Sequence, residues 1–98
     1  MKINEFCLEG EEFPVLFGGE FKYIRKNAGI SLEQFAIYAG KRSRTTIYNW
    51  ECRQRMKPWQ TNLLIQMVPA SMFMFARKEW RKRNKQYVET MSKYWARM

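Results

Sequence analysis

Arg44, Thr45 and Asn49 fall within one six-residue span and carry side chains that pair well with nucleobase edges. An arginine can form a bidentate pair with guanine, an asparagine with adenine, and a threonine offers a hydroxyl or a methyl. Lys41, Arg42 and Ser43 precede them, and Arg55 and Lys57 follow. Those five suit backbone phosphates, which position a protein on a duplex without reading it. Other chemistry is thinly supplied. The chain has no histidine, which removes the usual general base, the commonest metal ligand and the partner of most nucleophiles. Cys7 and Cys52 stand alone without metal-ligand spacing and read as inert thiols of a reducing compartment. The expectation is a cytoplasmic protein that is not an enzyme and carries neither metal nor cofactor.

The charge balance agrees with a polyanionic partner. The net charge is +9 over 98 residues, and it is unevenly placed. Residues 1–20 hold one lysine against five glutamates, a local net of −4, so the remainder carries +13. Nucleic acid and an anionic membrane surface both fit that excess. Insertion into a membrane does not fit. The longest uncharged run, Trp59 to Ala76, contains Gln60, Thr61, Asn62, Gln66 and Ser71 and is interrupted by Pro69. The acidic start is unlike a signal or transit peptide.

Elements must hold those side chains in place. Residues 1–19 read as an acidic arm or a short hairpin turning at Glu9-Gly10-Glu11, with Gly18-Gly19 breaking the chain after it. Phe21, Ile24 and Ala28 then share a helical face, and Gly29 stops that helix. Ser31 and Gln34 form a capping box, with Ile30 and Phe35 at staple positions, so a second helix starts there and ends at Gly40. Ser43 caps a third helix with Ile47 and Trp50 inward and Arg44, Thr45, Tyr48 and Asn49 outward. Tyr48 and Trp59 suit either packing or contact with a sugar-phosphate backbone. Pro58 opens a fourth helix, which Pro69 ends. No glycine or proline interrupts residues 71–98, which read as one long fifth helix.

Short helix, tight turn, second helix is the arrangement that presents a helix to the major groove. The stretch from Phe21 to about Val68 resembles the helix-turn-helix domain of lambda-repressor-like, Cro/C1-type regulators. The resemblance rests on Phe21-x-x-Ile24-Arg25, Gly29-Ile30-Ser31-x-Glu33-Gln34-Phe35-Ala36, Gly40, Arg44-x-Thr46-Ile47-x-Asn49-Trp50-Glu51, and Pro58. It implies a DNA-binding regulator, most often a repressor from a phage or mobile element that grips its operator as a two-fold dimer. By position it implies base reading by Arg44, Thr45 and Asn49, a cap near phosphate at Ser43, backbone contacts from Arg55 and Lys57, and a salt bridge between Arg25 and Glu51. The chain departs from the pattern in three places. One extra residue separates Ala36 from Ile47, Leu32 stands where the family often has a phosphate-binding glutamine, and Arg53 replaces a common glycine.

The expected architecture is all-α: an arm over 1–19, a helix-turn-helix domain over 20–69, and a basic amphipathic helix over 70–98. On that last helix Tyr87, Val88, Met91, Tyr94, Trp95 and Met98 form one broad apolar face. The face is either a dimer seam or a surface laid on its own domain. The basic stretch Arg77 to Lys85 is expected nearer the DNA. Double-stranded DNA and a second copy of the chain are the expected partners. An antitoxin-like module that captures a protein, and an accessory binder of nucleic acid with little sequence preference, stay as rival classes.

Overall fold

A computed structural model describes residues 3–40 and 42–96. It is all-helical among those residues. A 3-10 turn (Ile3–Phe6) is followed by α1 (Gly18–Asn27), α2 (Leu32–Tyr38), α3 (Arg44–Glu51), α4 (Pro58–Ile65), α5 (Ala70–Arg83) and α6 (Lys85–Ala96). No described helix is long and apolar enough to cross a membrane.

The helix starts follow local chemistry. Ser31 Oγ accepts from the Gln34 amide at 3.0 Å, and Gln34 Oε1 accepts from the Ser31 amide at 2.8 Å, closing a reciprocal capping box on α2. Ser43 Oγ accepts from the Thr46 amide at 3.1 Å and starts α3. Pro58 sits in the first turn of α4, where its missing N–H costs nothing. At the end of α1, Gly29 takes φ +73° and the Ile30 amide reaches back to the Arg25 carbonyl at 3.1 Å.

Phe21 and Ile24 of α1, Phe35 and Ala36 of α2, Ile47 and Trp50 of α3, Leu64 and Ile65 of α4, and Phe73 and Ala76 of α5 share one core. The acidic leader belongs to it too. Phe6 lies edge-on to Phe73 with ring centroids 5.0 Å apart, and Leu16 is fully buried. The hairpin alternative is absent among the described residues. Leader residues after the 3-10 turn run irregularly to α1, held by side-chain and backbone hydrogen bonds rather than by strand pairing. Gly18 and Gly19 do not break the chain either. They form the first turn of α1, where a Cβ on Gly18 would collide with the carbonyl oxygens of Glu51 and Arg53. The glycine lets the start of α1 approach the end of α3 closely.

The expected single C-terminal helix is two helices. Asn84 leaves helical geometry at φ −118° and ψ +33°, with its side-chain amide donating to the Trp80 carbonyl at 2.8 Å. The reason is tertiary. Phe17 lies 5.5 Å from Trp80 and 4.6 Å from Trp95, centroid to centroid. Fifteen residues along one straight helix would hold those indoles roughly 22 Å apart. Folding back at Asn84 brings both onto the same ring.

Candidate nucleic-acid interface

α2 ends at Tyr38 and α3 begins at Arg44. Gly40 adopts φ +98°, and the Arg42 amide reaches back to the Ala36 carbonyl at 2.9 Å. Ala36 itself is buried, and its small side chain permits close packing of α2 on α3. Ser43 then starts α3, its hydroxyl also 2.9 Å from Thr46 Oγ1. Ile47 and Trp50 fix the inner face of α3 in the core.

Arg25 and Glu51 meet beneath α3. Arg25 Nε donates to Glu51 Oε2 at 2.6 Å and its terminal nitrogen to Oε1 at 3.1 Å, while the other terminal nitrogen reaches the Ile30 carbonyl at 2.6 Å. With side chains 4% and 2% exposed, this pair is screened from water and ties α1 to the end of α3. It also neutralises Glu51, the one carboxylate between residues 34 and 78.

The outward face of α3 is open. Arg44, Thr45, Tyr48 and Asn49 are exposed. Arg44, Thr45 and Tyr48 line, with Leu32 at the start of α2, a shallow hollow of about 330 Å³. Interaction with the neighbouring Cys52 thiol pushes the Tyr48 phenol above its ordinary pKa. Leu32 and Tyr48 were not among the residues expected to read bases. Leu32 gave no polar signal, and Tyr48 was equally suited to packing.

The flanking cations are held in different ways. Ser43 and Lys57 are exposed at the starts of α3 and α4. The Arg42 guanidinium lies 5.4 Å from the ring centroids of both Trp50 and Trp59, and its Nε donates to the Ala39 carbonyl at 3.0 Å. Trp59 therefore packs as well as facing solvent, edge-on to Trp50 at 5.1 Å. Arg55 lies 5.2 Å over Trp95 of α6. Stacking fixes the two guanidinium planes while leaving hydrogen-bonding edges for an acceptor. Lys41 and Met98 lie outside the described residues.

Two arginines of the basic stretch depart from its expected role. Arg77 is fully buried: its Nε donates to Glu20 at 3.0 Å, and its terminal nitrogens reach both oxygens of Glu11 at 2.7 and 3.0 Å and the carbonyls of Phe6 and Val15. Arg81 makes a second bidentate pair with Glu20 at 2.7 and 3.1 Å. These two arginines clamp the acidic leader and are not available to phosphate. The sequence carried one clue, the match between an acidic leader and arginines four residues apart on a basic helix.

Tyr87 and Trp95 of the proposed seam pack on Phe17, with ring centroids 5.5 and 4.6 Å away. Val88 and Met91 are half-buried, and Tyr94 remains 55% exposed. This is the alternative in which the apolar face covers its own domain, at least for the aromatic pair.

Comparison with family models, with curated proteins and with solved structures yields no match for this chain.

Proposed function

We propose that the protein is a sequence-specific duplex DNA-binding regulator that inserts α3 into the major groove. One observation carries the reading. The exposed face of α3 offers Arg44, Thr45, Tyr48 and Asn49, and the one carboxylate of that helix, Glu51, is buried against Arg25. A rigid helix with base-matching side chains and no exposed negative charge suits the groove of a polyanion. Ser43, Arg42, Arg55 and Lys57 flank it as phosphate contacts. Repression is the simplest outcome, since a small domain seated on an operator blocks other proteins by occupying it. A single α3 spans few base pairs, so two copies on a two-fold site supply the affinity and specificity that regulation needs. The cytoplasm, where the DNA lies, is the compartment for such a protein.

Selection of bound duplexes from a random pool tests this. A recovered palindrome with half-sites about one helical turn apart is expected. On the recovered site, Arg44→Ala or Asn49→Ala is expected to cost about 1–3 kcal/mol and to relax preference. Lys57→Ala should weaken all duplexes alike and flatten the salt dependence by about one unit. A pool that returns no preferred sequence overturns the reading in favour of binding by charge alone.

A further inference from the structure

A second concave surface lies away from α3, where the leader meets the bend between α5 and α6. Leu8, Lys78, Arg81, Lys82, Lys85, Val88 and Glu89 line a groove of about 400 Å³. Its lining is mostly apolar, made by Leu8, Val88 and the aliphatic stems of the lysines. Its rim is cationic. Among the described residues no carboxylate lies within ion-pair distance of Lys78, Lys82 or Lys85.

The walls are built rather than incidental. Leu8 is fixed through its amide, which donates to Glu11 Oε1 at 2.8 Å, and Glu11 is itself gripped by Arg77. Arg81 is fixed by Glu20 and by the Val15 carbonyl at 2.9 Å. The bend at Asn84 sets Lys85 and Val88 of α6 beside Lys78 and Lys82 of α5. Three lysines face one carboxylate, so the groove carries an uncompensated positive charge above an apolar floor.

We infer that this groove binds a small amphipathic anion, a single carboxylate or sulfonate on an unbranched or aromatic apolar body. The floor takes the apolar part, the lysines take the anion, and the volume lies at the small end of the range for ligand sites, about 300–1,000 Å³. A simple inorganic anion would leave the floor wet, and an uncharged alkyl chain would leave the lysines without a counter-charge. Each half alone is therefore a poorer fit. The inference is independent of the reading of α3, since none of the groove residues is among those proposed there to touch bases or phosphates.

Calorimetric titration of the full chain, without DNA, with decanoate below its micelle-forming concentration tests the site. Decanol, acetate and anionic phospholipid vesicles serve as separate arms. Saturable one-to-one binding of decanoate is expected, with decanol and acetate weaker by about tenfold or more. Lys82→Glu/Lys85→Glu is expected to reduce decanoate affinity by about tenfold or more, and the equally charged change Lys22→Glu/Lys26→Glu on α1 to leave it within about twofold. All four positions are exposed, and circular dichroism checks that the fold persists. No saturable decanoate binding overturns the inference. So does equal loss in both double variants, which shows a general charge effect, or binding of vesicles but not of monomeric decanoate, which shows a membrane surface.

Discussion

Leu32 is the residue that most alters the chemistry expected of α3. Beside Tyr48 it gives the hollow an apolar wall next to Arg44 and Thr45. Such a wall suits the C5 methyl of thymine, with Arg44 placed for a neighbouring guanine. Replacing each thymine of the selected operator by uracil should therefore reveal one position at which the missing methyl costs about 0.8 kcal/mol, roughly fourfold in affinity. Leu32→Ala should abolish that difference, and equal binding of thymine and uracil at every position by the wild type removes the methyl from the account. Arg25 and Glu51 act at the same scale but in folding. Glu51→Ala leaves Arg25 buried without its carboxylate and is expected to cost about 3–5 kcal/mol, read from urea unfolding. A cost below about 1 kcal/mol would mark the pair as effectively solvated.

Helices α1 to α4 were legible in the sequence because their signals are local. Ser31 with Gln34, Ser43, Pro58 and Gly29 each act within a few residues of where they stand. The clamp between the leader and α5 was not legible, since Arg77 reads as a surface cation until Glu11 and Glu20 are placed beside it from 66 and 57 residues away. The break at Asn84 is marked in the sequence only weakly, by an asparagine after Arg81, Lys82 and Arg83. Contacts of Phe17 with both Trp80 and Trp95 decide it, and they exist only in the folded chain. Two outcomes follow for the clamp. Arg77→Lys keeps the charge but loses the planar fork that serves two glutamates and two carbonyls, and is expected to destabilise by about 3 kcal/mol or more in thermal or chemical unfolding. The second concerns pH. Burial raises the Glu11 carboxyl, but hydrogen bonds from Arg77, the Leu8 amide and the Val15 amide, with the arginine's charge, outweigh it and hold its pKa below the ordinary value. A carboxyl depressed on folding contributes stability that is full above its unfolded pKa, about 4.3, and that is lost as pH falls through the folded value. Glu11→Gln should thus flatten the loss of stability in acid below about pH 4.3. An acid limb of the same steepness in both proteins shows that Glu11 is not linked to folding.

At the scale of the whole molecule, α6 connects the leader to the loop between α3 and α4. Phe17 is 1% exposed because Trp80, Tyr87 and Trp95 surround it, and Trp95 also carries Arg55. The loop is held a second way, by the Met56 amide donating to the Leu16 carbonyl at 2.9 Å. Phe17, next to Gly18 at the end of α3, is therefore the point where leader, α1, α6 and the flanking loop converge. Deleting residues 87–98 removes two of its three aromatic neighbours and the support of Arg55. If α6 served chiefly as a dimer seam, the truncated chain would be a stable monomer that binds a half-site as well as the intact protein does. The contacts with Phe17 favour a different outcome: a truncated chain of lower melting temperature whose number of copies by light scattering matches that of the full chain, and whose half-site affinity is already reduced. Trp95→Ala is the milder version, expected to cost about 2 kcal/mol from lost apolar contact and stacking. Its loss of affinity should appear on half-sites and full sites in equal proportion, because it loosens Arg55 within each copy. A variant that binds half-sites normally and fails only on the palindrome would return α6 to the interface between copies.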